Sequence, residues 1–231
     1  MIRALLFLAL PWAQAEAPAG GDGAKTVVGS VVRSKEWVMR RTPHREEEFV
    51  GEVSYRKGPS LLTSDWALFR HEPQLWDARG HVRLQHVLRS GDRIDVSGET
   101  AQFDQKSARG RLLPSRDGLV SYSRTPPGEA PDQGSAQRLE WEGQERVSLV
   151  GKVQLWGPRL AAQGDRADYE AAAGRLAVSG GRPVVQVLQG DWTGAVQGDV
   201  VTALRRPDRL HADGRTRGWI KFKKRPGGKD R

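Results

Sequence analysis

A short motif, an acid followed at fixed offsets by alanine and an aromatic, recurs along the chain and constrains its fold more than any other feature. It reads Asp65-Trp66-Ala67-Leu68-Phe69, Glu99-Thr100-Ala101-Gln102-Phe103 and Asp165-Arg166-Ala167-Asp168-Tyr169. The flanks repeat as well. Gly51-Glu52-Val53 precedes Asp65 by 14 residues, and Gly151-Lys152-Val153 precedes Asp165 by the same 14. Phe69 stands 11 residues before Gly80, Tyr169 stands 11 before Gly180, and a degenerate fourth copy sets Ala203 11 before Gly214. A unit repeated in this way is one supersecondary element that cannot bury its apolar face alone, so the copies must stack or fold over one another.

Each copy is written as strand. Val147-Ser148-Leu149-Val150-Gly151-Lys152-Val153-Gln154-Leu155 alternates apolar and polar around a central glycine, the period-2 pattern of a half-buried strand. Arg175 to Ser179 and Gly80 to Gln85 do the same. The best helical candidate, Ala161 to Ala173, is cut by Gly164 and carries the alternation Asp165, Ala167, Tyr169 instead. The expected fold is therefore all-β, an antiparallel sandwich, roll or solenoid with a continuous apolar interior and strand edges free at its ends.

The unit G-x-V-x-hydrophobic, then acid-x-Ala-x-aromatic about 14 residues later, then a strand ending in Gly, resembles the OstA-like domain of the periplasmic lipopolysaccharide-transport proteins LptA and LptC. The residues that carry the resemblance are Arg138 to Trp141, Val147 to Leu155 and Ala162 to Tyr169, with a second match from Phe49 to Val53 and Ser64 to Phe69. The resemblance covers about residues 30–222. It implies a repetitive antiparallel β jelly roll, shaped like a taco, of roughly 12 to 16 strands. Its apolar interior would shelter the acyl chains of lipopolysaccharide and leave the anionic head outside. The lipid-binding face it implies is Val53, Tyr55, Phe69, Val82, Leu84, Phe103, Val147, Leu149, Val153, Leu155, Tyr169, Leu176 and Val178. It further implies a non-enzymatic carrier or bridge component of lipopolysaccharide export to the outer membrane, joined to other OstA-like domains by end-to-end β pairing, without cofactor or metal. The chain departs from the pattern in a Pro-rich stretch, expected as a loop insert at about 123–137, and in a fourth copy that lacks the aromatic.

Alternating apolar residues are equally the mark of a packed β core, so a structural envelope scaffold that pairs through its β edges without bound lipid stays open as the alternative. The repeated acids Asp65, Glu99 and Asp165 raise a third reading, paired carboxylates in a carbohydrate-active enzyme. Their recurrence once per copy points instead to a structural role, in capping turns or binding backbone amides. None of the five His (His44, His71, His81, His86, His211) has a metal-binding spacing, and they read as surface residues. No G-x-S-x-G and no phosphate-cradling Gly loop is present.

The termini bear on localisation. Residues 1–15 have a positive start, an apolar run of about ten residues and Ala13-Gln14-Ala15, the layout of a cleaved signal peptide; a spanning helix needs about twenty apolar residues. The mature chain is expected in the periplasm, without a transmembrane span, and the signal favours an LptA-like over an LptC-like role. Residues 16–29 read as a flexible leader and 223–231 as a basic tail. The absence of cysteine excludes disulfides, thiolate metal sites and thiol catalysis. The net charge of +9 is concentrated at the end: residues 205–231 hold 11 Lys+Arg against 3 Asp+Glu, while residues 1–204 hold 26 against 25. Charge confined to one end argues against a nucleic-acid partner. Arg outnumbers Lys 28 to 9, which suits phosphate recognition, and the complete absence of Asn fits a codon bias equally well.

Overall fold

A computed structural model of the chain describes residues 30–87, 91–143, 146–170, 173–189, 192–205 and 208–222. The predicted signal peptide, leader and basic tail lie outside the described residues. Among those described, every regular element is a strand and every strand pairing is antiparallel.

The chain makes twelve passes back and forth, and each pass is hydrogen-bonded to the next along both of its halves. The first pass is β1 (Ser30–Arg33) with β2 (Glu36–Arg40), followed by four unbroken strands: β3 (Glu46–Lys57), β4 (Ser60–Arg70), β5 (Leu75–Val87) and β6 (Arg93–Asp104). The sixth pass is β7 (Arg109–Leu113) with β8 (Val120–Thr125), and the seventh is β9 (Asp132–Ala136) with β10 (Arg138–Glu142). Two unbroken strands follow, β11 (Arg146–Trp156) and β12 (Leu160–Glu170). The last three passes are each broken in two: β13 (Arg175–Ser179) with β14 (Val184–Gln189), β15 (Trp192–Gln197) with β16 (Val200–Arg205), and β17 (Asp208–Asp213) with β18 (Arg217–Phe222). At about 4.8 Å per strand the meander runs on the order of 50 Å from first pass to last.

A line crossing the middle of every pass folds the meander lengthwise into two leaves. β6 shows the division: residues 100–104 pair with β7 in the first leaf, and residues 93–97 pair with β8 in the second. Unbroken strands cross the line at bulges. Gly51-Glu52 stands against Asp65, Gly80-His81 against Glu99, and Gly151-Lys152 against Asp165, two residues against one. Both residues of each pair have positive φ, between 48° and 79°, which turns the strand and increases its twist. The 14-residue spacing from Gly51 to Asp65 and from Gly151 to Asp165 is thus hairpin register, because the bulge on one strand must face the acid on the next.

Glycine is required at the fold line for a second reason. A Cβ on Gly80 would collide with the Asp65 carboxylate, and one on Gly180 would lie 2.8 Å from the Asp165 Cβ. The weak fourth copy repeats the device with Asp199 over Gly214, and Asp199 N–H donates to the Asp213 carbonyl at 2.7 Å. Asp65 and Asp165, two of the three repeated acids, pack over the glycines, and Asp65 also accepts a 2.8 Å hydrogen bond from His81.

Several expectations need correction. The described residues form 18 strands rather than 12 to 16, because six of the twelve passes break where they cross the fold line, at turns such as Gly180 to Pro183. Residues 123–137 are not a loop insert: β8 and β9 form a hairpin paired over Val120–Arg124 and Asp132–Ala136, and only the turn between them is rich in proline. Glu46-Glu47-Glu48 begins β3, where Glu48 accepts hydrogen bonds from Trp66 (2.8 Å) and Arg40 (2.6 Å). His86 is not a surface residue; its side chain is buried against Ser60 Oγ, 2.9 Å from Nδ1.

Candidate functional site

The inward-facing residues of the two leaves form one continuous hydrophobic cluster that runs from pass to pass. Alternation along each strand puts every second side chain inside. First-leaf residues such as Phe49, Phe103 and Tyr169 and second-leaf residues such as Tyr55, Val96 and Leu155 belong to the same cluster. Twelve of the thirteen residues expected on the lipid face are buried. The thirteenth, Phe69, is half-buried and stacks on Trp76 with centroids 4.6 Å apart. All thirteen therefore share one interior. Trp76 also meets Phe49 (6.1 Å) and Tyr55 (5.1 Å), and Phe103 stacks on Trp141 (6.2 Å), so that aromatic contacts join first-leaf rings to Tyr55 of the second leaf.

The sequence reading missed a comparable set of interior residues: Ile94, Val96, Val120, Tyr122, Leu139 and Trp141. Their signal was present in the alternation Leu139-Glu140-Trp141 and Val120-Ser121-Tyr122. It was obscured because these strands are short and flank the Pro-rich turn. Trp37, Trp156 and Trp219, by contrast, stay exposed on the surface.

The interior side chains are closely packed, and between Tyr55, Trp76, Val82, Phe103 and Trp141 lies a cavity of about 30 Å³ with an entirely apolar lining. Towards the rim of the second leaf the interior turns polar. There His86 meets Ser60, and desolvation lowers the His86 pKa to about 4. Arg124 Nε and Nη2 donate to Asp92 Oδ2 at 3.1 and 2.6 Å, with Asp132 Oδ2 3.7 Å from Nη1. Arg124 and Asp92 are both buried, and burial pushes the Asp132 carboxyl up. Such a pair holds the β6–β8–β9 rim together only while both charges are present.

A second space, a groove of about 890 Å³, lies outside the first leaf across β6, β7 and β10 to β13. Polar and charged side chains line it, and Trp141, Val147 and Tyr169 of the interior border it as well. The two ends of the meander differ from its body. Val31, Trp37 and Val38 are exposed on the first pass and Trp219, Ile220 and Phe222 on the last, and one edge of each of these passes has no strand partner among the described residues. No group of His, Cys, Asp or Glu among the described residues could hold a metal ion. No helix among them is long and apolar enough to cross a membrane.

No family model matches the chain, and no curated protein matches it in sequence. Among solved structures it is similar to LptH from Pseudomonas aeruginosa, described as the LptA-homologous periplasmic component of the lipopolysaccharide transport device. That likeness has 14% identity and a TM-score of 0.41, and covers 56% of this chain and 94% of LptH.

Proposed function

We propose that this chain is a non-enzymatic periplasmic carrier or bridge component that shelters the acyl chains of lipopolysaccharide between its two leaves on the way to the outer membrane. One observation carries the reading: a single apolar interior continues through twelve hydrogen-bonded passes, and the meander ends at both sides in strand edges that have exposed aromatics and no strand partner among the described residues. A continuous apolar trough is what a lipid in transit needs, and free edges allow the trough to be extended by β pairing with another OstA-like domain. Lipid would enter by parting the leaves, with Val53, Tyr55, Phe69, Val82, Leu84, Phe103, Val147, Leu149, Val153, Leu155, Tyr169, Leu176 and Val178 as the surface exposed to it.

A photocrosslinking residue at Leu155 or Tyr169 of the mature protein should capture lipopolysaccharide as an LptA control does; no capture at either position while the control reacts would overturn the proposal. The closely packed interior, with its cavity of about 30 Å³, favours a second reading, an envelope scaffold that pairs through its edges with no lipid inside. An apolar dye separates the two. Uptake displaced by lipopolysaccharide supports the carrier, and a core that admits neither supports the scaffold.

A further inference from the structure

We propose that the outer groove of the first leaf binds the hydroxyl-rich, acid-bearing oligosaccharide head of the same amphipathic ligand whose acyl chains enter between the leaves beside Trp141. The inference rests on the carrier reading and adds where the head lies and which groups hold it.

Strand register builds the groove. The row nearest the rim reads Asp104, Arg109, Glu142, Arg146, Glu170, Arg175 across six neighbouring strands, each residue directly opposite the next. Charge alternates without a break. The row behind it reads Gln102, Arg111, Glu140, Ser148, Asp168, Ala177 by the same pairings. Ala177 adds only a methyl group to the floor beside Asp168. Six strands at about 4.8 Å give a groove on the order of 24 Å long.

The chemistry of these rows matches a saccharide. A sugar presents adjacent hydroxyls that each donate and accept, so it is held best where donors and ionised acceptors alternate at close spacing. Two of the carboxylates, Asp168 and Glu142, are held in the ionised form. Although burial pushes Asp168 up, hydrogen bonds from Arg166 (2.7 Å) and Ser148 (2.6 Å) hold it below its ordinary value, and the Arg109 bond does the same for Glu142. Two cations remain for acid groups on the ligand: Arg111 and Arg175 are exposed, and neither has an ion-pair partner within 4 Å among the described residues. Three arginines against three acids along the rim give no net positive field, which disfavours nucleic acid.

The connection to the interior is Trp141. Its ring is 6% exposed, lines both the inner cavity and the outer groove, and lies over Gly110, where any Cβ would occupy the ring's place. Its indole N–H is buried and has no hydrogen-bond partner among the described residues, a donor that ordinarily finds one. A ligand crossing the rim here would place its apolar chains on the Trp141 face and a polar linkage at Nε1.

The test uses the mature chain and three probes: rough-type lipopolysaccharide, lipid A without core sugars, and the deacylated core oligosaccharide alone. The wild type should bind the core-bearing lipid about tenfold more tightly than lipid A. The double variant Arg111→Ala, Arg175→Ala should lose that advantage, bind lipid A as before and keep its melting temperature. Equal wild-type affinity for the two lipids, or an advantage that survives in the variant, would overturn the groove assignment. Binding of the core oligosaccharide by the wild type, lost in the variant, supports the groove even if neither lipid is taken up; in that case the carrier reading alone fails.

Discussion

His86 offers a direct measure of how dry the interior is. Its ring sits on β5 in the second leaf, 2% exposed, hydrogen-bonded to Ser60, and desolvation lowers its pKa from 6.5 to about 4. The unfolded chain takes up a proton as pH falls through 6.5, whereas the folded chain resists until about pH 4. Stability contributed by neutral His86 is therefore fully present above pH 6.5 and is lost as the pH drops towards 4. Two and a half pH units at about 1.36 kcal/mol each set the loss at roughly 3 kcal/mol. For a domain of this size that is about 6–12 °C in Tm. Carboxylates add an acid sensitivity of their own, so the informative quantity is the difference between the wild type and His86→Gln, which can still bond Ser60 and does not titrate. Thermal unfolding at pH 7 and pH 4 should show a fall in Tm that is smaller in the variant by that amount. Equal falls, or an NMR titration of His86 centred near 6.5, would refute the argument by showing that water reaches this layer.

Three other perturbations test the fold and its rims. Gly151→Ala meets both a φ of 79° and the Gln137 side chain, and should cost about 2–4 kcal/mol in denaturant unfolding, whereas Gly58→Ala, at φ 54° with open space around it, should cost about 1 kcal/mol. Arg124→Met leaves Asp92 buried without its cation and should cost about 3–5 kcal/mol; the double variant with Asp92→Leu should recover most of it. Trp76→Ala removes the ring shared by Phe49, Tyr55 and Phe69 and should cost about 3–5 kcal/mol, with added uptake of apolar dye in the enlarged cavity.

Much of this was legible because it is local. Period-2 alternation marks a strand and its inner face whatever the strand pairs with, and together with the resemblance to the OstA-like domain it places residues as far apart as Val53 and Val178 in one interior. The spacing of Gly51 and Asp65, or of Gly151 and Asp165, records the register of one hairpin, and a hairpin is set by contacts a few residues apart in sequence.

What the sequence by itself could not settle depends on partners distant in the chain. The pairing of β7 with β10 and of β8 with β9 carries the sheet past the Pro-rich turn, and it is a choice between edges that local propensity does not make. His86 reads as a surface residue in a strand with polar neighbours, and only the closure of one leaf over the other takes its water away. Whether the interior is an open trough or a filled core is of the same kind: alternation puts apolar side chains on one face, and the distance between the folded leaves determines how much space remains between them. The sequence by itself determined the strands, their inner faces and the glycines at the fold line, because each is a short-range steric matter. The tertiary structure decided the filling of the interior, the buried ion pair and the charged groove outside, because burial and proximity exist only once twelve passes have been laid side by side and folded over.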